Sequence, residues 1–295
     1  MEADHIFEAA VQRHDAQVAA LGLPIWVGSE PTFTDRQAQT PAWLHAALGD
    51  DKESRARALL VTLSGRMPGA LVLRSTGRLY PGEKVPRWNL GLLRRRDGAP
   101  LWDGPPDPLL AAEPPPAEPL PAGPADLAAF ASALSQAFAS LQWATDCVEG
   151  TPERDADKSD ADQEGAGTEA EVAAPAWTVS ATVDADADPL RFVLRAHEDL
   201  ADPDATHTPC AAVELPEIAR VERFLAALPC IEHAAQACGL GALVWTGATP
   251  PVDATLALTT VTPDPAVIEI NSAPSRNCAE FLWRSQQVYA AAAAH

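Results

Sequence analysis

Basic residues are scarce in this chain: 21 lysines and arginines stand against 41 aspartates and glutamates, for a formal net charge of −20. A sequence this acidic lacks the positive footprint that nucleic acid or an anionic membrane surface requires, and both are excluded as partners. Long apolar runs are missing as well, since nothing approaches the roughly 18 consecutive apolar residues of a membrane span. The opening MEADHIFEAAVQRHD is charged throughout and holds no apolar core of a secretion signal. The five cysteines are odd in number and form no CxxC, which with the missing signal points to a reducing cytoplasm. His207 and Cys210 make an HxxC with no second pair at zinc spacing. A Walker loop, a dinucleotide fingerprint and a GxSxG elbow are all absent. No period of about 20 to 50 residues recurs, which excludes a repeat architecture.

What is present is enough apolar residue, 47%, to build a core in a chain long enough for one large domain. Part of the charge is local: Asp146 to Val172 holds ten acidic and two basic residues. That run is low in apolar residues and is expected to be a disordered, solvated tether. The Pro-rich stretch from Trp102 to Pro124 is expected to be an extended linker. Between them, Leu127, Phe130, Leu134, Phe138 and Leu141 recur at helical spacing and predict an amphipathic helix. Residues 1–102 and 176–295 then form two parts of one domain, joined by a linker over 103–175 with a helix at about 126–141.

Further helices are expected from Asp4 to Leu21, Pro41 to Leu48, Asp50 to Arg66, Pro216 to Gly239 with a break near Pro229, and Ser275 to the end. Strands are expected at Ile25–Val27, Ala70–Leu73, Arg87–Arg95, Trp177–Val183, Leu190–Ala196, Cys210–Leu215, Leu243–Thr246, Leu256–Val261 and Val267–Asn271. Strands in neighbouring runs with grouped helices favour an α+β fold with a largely antiparallel sheet and helices packed on one face. The Arg94-Arg95-Arg96 run reads as a solvated strand end. Trp26, Trp43, Trp88 and Trp102 read as core residues, and Cys230 and Cys238 as small core residues in a helix.

The most informative stretch is Val261 to Pro274, VTPDPAVIEINSAP. Pro263, Asp264 and Pro265 make a stiff turn, and Val267, Ile268 and Ile270 are strand formers. Alternation sends Ile268 and Ile270 to one face and Glu269 and Asn271 to the other. A carboxylate and an amide oxygen two residues apart are hard donors suited to Mg²⁺. The wet face of an ordinary strand reads the same way.

Six segments occur together and in order: GSEPTF (28–33), AWLHAALGDDK (42–52), GRLYPGE (77–83), PRWNL (86–90), RDGAPLW (96–102) and TPDPAVIEIN (262–271). In these the chain resembles the amidoligase domain family associated with bacterial transglutaminase-like proteins. The resemblance implies a fold similar to the glutamine synthetase and glutamate–cysteine ligase catalytic domain. It implies an ATP- and Mg²⁺-dependent ligase that joins a carboxylate to an amine through an acyl phosphate, on a peptide or small amino-acid substrate. It implies metal-binding roles for Glu30, Glu83, Glu269 and Asn271. Arg78 and Arg87 would face phosphate oxygens, with Asn271 at the phosphate end and Glu30, Arg78 and Arg87 as the catalytic set. Arg78 and Arg87 could equally pair with Glu83 and Asp97 at the surface. Longer members continue past the last helix into a Gly-rich, Asn-His-containing segment, whereas this chain stops at His295, so that either the fold is completed differently, or activity is lost, or a second polypeptide supplies the rest of the site. The rival expectation is a catalytically reduced homologue that serves as a binding or scaffolding subunit.

Overall fold

The computed structural model describes residues 2–110, 124–151, 175–184, 187–197 and 210–295. The run from 111 to 123, the acidic run from 152 to 174 and His207 lie outside these residues. In chain order the elements are α1 (Glu2–Ala20), β1 (Thr32–Phe33), α2 (Pro41–His45), α3 (Asp50–Arg66), β2 (Leu71–Thr76) and β3 (Trp88–Arg95). A short 3-10 turn at Pro108–Leu110 precedes α4 (Pro124–Ser140), β4 (Ala144–Glu149), β5 (Ala176–Thr182), β6 (Leu190–His197) and β7 (Cys210–Leu215). The chain closes with α5 (Val221–Ala237), β8 (Leu243–Gly247), β9 (Leu256–Asp264), β10 (Val267–Ser272) and α6 (Cys278–Ala292).

All of these strands belong to one sheet, in the order β1-β10-β9-β3-β2-β8-β7-β6-β5-β4. Pairing is antiparallel except at β8, which runs parallel to both β2 and β7. The fold is α+β with a mixed, mostly antiparallel sheet. Chain order and sheet order differ: β2 and β3 stand between the late strands β8 and β9. The two ends of the sequence are thereby woven into one layer. Among the described residues no helix is long and apolar enough to cross a membrane.

Helices cover both faces, not one. Leu71, Val72 and Leu73 are consecutive and all buried, and alternation along a strand sends them to opposite sides. Leu71, Leu73 and Leu93 join a core with α4 and α5. Val72, Leu90 and Leu92 join a second core with α3 and α6. A central strand that is apolar on both sides needs cover on both sides. The phenylalanines at 130 and 138 of α4 are fully buried in the first core.

Other expectations are also corrected. Residues 144–149, the last four of them within the acidic run, form β4, because each of them finds a ladder partner on β5. The stretch 25–27 is not a strand; Val27 makes an isolated bridge to Ser275. Helix α5 starts at Val221 and runs unbroken through Pro229. The burial of Phe224, Leu228 and Ile231 on one stripe outweighs the hydrogen bond that Pro229 cannot make. Trp43 is buried, but Trp26 is 57% exposed and lies over the Arg96 guanidinium. Cys230 is buried in the core and Cys238 only partly so.

The arginine run is the largest departure. Arg95 is partly exposed and pairs with Asp97, but the Arg96 side chain is buried and that of Arg94 is only 11% exposed. Arg96 donates to the carbonyls of Asp253, Leu256 and Pro274 and to Glu280 Oε1 at 2.7 Å. Local sequence could not show this, because every acceptor comes from residues 253–280. Burial pushes the Glu280 carboxyl up, but the Arg276 N–H and guanidinium together with Arg96 outweigh it and hold it below the ordinary carboxylate range.

Arg96→Ala leaves the carbonyls of Asp253, Leu256 and Pro274 without this donor and Glu280 with Arg276 and the more distant Arg94, and is expected to cost about 1.5–3 kcal/mol in urea unfolding. Glu280 has its native pKa below its ordinary value of 4.5. Its contribution is therefore fully present above pH 4.5 and lost as pH falls through the lower native value. Glu280→Gln should remove that part of the acid slope while lowering stability at neutral pH, as read by unfolding curves across pH.

Candidate active-site cleft

The site is built outward from β10. Ile268 and Ile270 are buried under α3 and α6, so Glu269 and Asn271 must present to the opposite face. Strand β9 lies beside them with Thr262 opposite Glu269 and Thr260 opposite Asn271. Thr260 in turn faces Gly91 of β3. On the other side Thr32 of β1 opposes Glu269, and the Ile270 N–H donates to Pro31 O at 2.9 Å. That bond holds the chain just before β1 alongside β10, and Glu30, one residue earlier, lines the same cleft as Asn271. The result is a cleft of about 400 Å³ whose lining includes Glu30, Glu269, Asn271, Thr260 and Thr262.

The far wall is the loop between β2 and β3. Gly77 donates to Arg87 O at 2.7 Å and Arg87 donates to Arg78 O at 3.0 Å. A Cβ on Gly77 would lie 2.8 Å from Arg87 O, so this approach needs glycine. Pro81 and Gly82, with Gly82 at φ 91°, form the centre of a tight turn closed by the Glu83 N–H on Tyr80 O at 3.0 Å. The Arg87 guanidinium lies 4.0 Å over the Tyr80 ring. It donates to Glu83 Oε1 at 3.0 Å, to Pro263 O at 3.1 Å and to Asp264 Oδ1. That guanidinium holds the Glu83 carboxyl below the ordinary carboxylate range. From below, the fully buried Lys52 donates to Ala46 O and Asp264 O, each at 2.6 Å. Burial lowers the Lys52 pKa. The β9–β10 turn is thus gripped by two cations.

The residues singled out in the sequence fall as follows. Glu30, Arg78, Arg87, Glu269 and Asn271 line one cleft. Glu83 stands behind Arg87, with Oε1 taken by Arg87 and Oε2 by the Tyr80 N–H at 3.2 Å. Of the two alternative ion pairs, Arg87 does pair with Glu83, while Asp97 pairs with Arg95.

Asn89 was not singled out, although it lines the cleft. Its Nδ2 donates to Ser75 Oγ at 3.0 Å, while its Oδ1 is buried with no hydrogen-bond donor. The sequence signal was a lone amide between Trp88 and Leu90, but only the pairing of β3 with β9 puts it in the site. An orphaned buried oxygen beside two carboxylates and a second amide is a donor set matched to a hard divalent cation.

A family model described as "Putative amidoligase enzyme (DUF2126)" matches residues 4–170 and 205–295. No curated protein and no solved structure matches the chain. Every residue of the cleft lies inside the matched ranges; the unmatched stretch carries β5 and β6.

Arg87→Ala removes the clamp on the wall. Amide exchange at Gly77 and Glu83 is expected to speed up roughly tenfold, in line with the loss of charge-assisted hydrogen bonds. Arg87→Lys should restore little of the protection, because an ammonium cannot reproduce the guanidinium fork.

Proposed function

Because the chain belongs to the amidoligase family, we propose that the cleft is the nucleotide and metal site of an ATP- and Mg²⁺-dependent ligase that joins a carboxylate to an amine through an acyl phosphate. The observation that carries this reading is that Glu30, from the first thirty residues, lines one cleft with Glu269, Asn271 and Arg78. A peptide or small amino acid is the substrate class.

Amide formation from a free carboxylate is uphill, so the carboxylate must first be phosphorylated and the amine then displaces phosphate. Such a transfer asks the protein chiefly for positioning and charge neutralisation. Glu30, Glu269 and Asn271, with Asn89 Oδ1, would hold Mg²⁺. The ion, when bound, supplies neutralisation of the phosphate oxygens. Glu30 is exposed at the mouth of the cleft, while Glu269, Asn271 and Asn89 are half-buried at its floor. The Asn271 Nδ2 donates to Thr262 Oγ1 at 3.4 Å, which leaves its carbonyl oxygen for the cation. Arg78, exposed on the wall, donates to phosphate oxygens. Arg87 and Glu83 act as positioning residues: their mutual pair and the Asp264 contact hold the loop that carries Arg78.

Mg²⁺-ATP at about a hundredfold its dissociation constant should stabilise the protein by about 2.7 kcal/mol, a rise in Tm of about 5 °C. Glu269→Ala should abolish the rise while leaving the ligand-free Tm near wild type. Arg78→Ala should weaken ATP about tenfold. No rise at millimolar Mg²⁺-ATP would overturn the ligase reading in favour of a binding subunit that keeps the fold.

A further inference from the structure

Helix α1 is poorly anchored by packing. Ile6 and Phe7 are 63% and 57% exposed, and among the described residues none of α1 enters the buried core. Its firm attachment is polar. Asp15 Oδ1 accepts the Cys278 N–H at 3.1 Å and Oδ2 accepts the Ala279 N–H at 2.9 Å, at the first turn of α6. That turn is already capped by Asn277, whose side chain accepts the Glu280 N–H. Asp15 thus satisfies two further N–H groups of the first turn that Asn277 does not reach. Beside it, His14 Nδ1 lies 3.2 Å from Asp15 Oδ1. The ligand atoms of His14, Asp15 and Cys278 all lie within 4.8 Å of one another.

We propose that His14, Asp15 and Cys278 form a Zn²⁺ site that staples α1 to α6. The donor chemistry selects the metal. An imidazole nitrogen, a thiolate and a carboxylate are a zinc set, whereas Mg²⁺ takes oxygen only. With bonds of about 2.0–2.3 Å, tetrahedral ligands stand about 3.3–3.6 Å apart. The His14–Asp15 separation of 3.2 Å is just short of this range, and the three ligand atoms lie within 4.8 Å of one another. Each Asp15 oxygen donates one lone pair to a backbone N–H, and a second lone pair remains on each. His14 binds through its unprotonated Nδ1 and keeps its proton on Nε2. Cys278 gives up its thiol proton to solvent and binds as thiolate. The three residues supply three ligands, and His14 is exposed to solvent.

The staple has a consequence for the cleft. The chain leaving α1 passes through Val27, which bridges Ser275 just before α6, and reaches Glu30 three residues later. Fixing α1 on α6 fixes the segment that delivers Glu30.

Co²⁺ is the probe, titrated into the full chain kept reduced. The expected result is a thiolate-to-cobalt charge-transfer band that saturates at one equivalent and is displaced by Zn²⁺. Cys278→Ser should abolish the band and His14→Ala should weaken Co²⁺ at least tenfold. Zn²⁺ should raise the Tm of the wild type but not of Cys278→Ser. The serine variant keeps the backbone N–H that Asp15 accepts, and its metal-free Tm checks that it folds. Absence of the band, or its persistence in Cys278→Ser, overturns the proposal. The cleft offers no sulfur, so Glu269→Ala leaves the band intact, and this result is independent of the ligase reading.

Discussion

The two-residue alternation of β10 is the constraint on which the site depends. Ile268 and Ile270 are buried against α3 and α6. A slip of one residue would expose both and drive a carboxylate and an amide into that core. Burial of each isoleucine is worth about 1.5–3 kcal/mol, and an unpaired buried carboxylate costs more. The register is locked from the apolar side, and the polar side inherits its geometry. Glu269 and Asn271 are fixed relative to Thr260, Thr262 and Glu30 by packing that happens on the other face of the sheet.

Cations fix the ends of the same hairpin. Lys52 and Arg87 hold its tip through Asp264 and Pro263, and Arg96 holds the start of β9 and the exit from β10 through Leu256 and Pro274. These are mostly charge-assisted bonds to main-chain carbonyls, which are directional and survive burial because the donors are satisfied. Apolar packing alone sets which face is inside. The cations set where along the strand each segment stops, and a ligand-binding edge needs that second kind of information.

The molecule divides its work between two cores. The core beneath α4 and α5 takes in β5 to β8, Leu71 and Leu73 of β2, Leu93 of β3 and the beginning of β9. The core beneath α3 and α6 backs β2, β3, β9 and β10, and the start of β3, the end of β9 and β10 line the cleft on the other face. The family match covers the second region completely and skips β5 and β6. The edge strand β4 lies inside the matched range, and the unmatched stretch is the pair β5 and β6 next to it.

Much of the local structure was legible in the sequence. The alternation of VIEIN, the Pro-Gly turn before Glu83 and the apolar stripe of α4 each follow from neighbours a few residues apart, and the six ordered segments named the family. Other features were not legible. Three adjacent arginines read as a wet strand end, yet Arg96 is buried because Glu280 and three distant carbonyls complete it. Residues 144–149 read mostly as tether, yet ladder pairing with β5 made them a strand. Asn89 is an unremarkable amide until β3 is seated beside β9. Periodicity and turn chemistry are local and can be read along the chain. The cleft is made by strand pairing between segments far apart, and the energy that selects those partners resides in contacts no single segment contains.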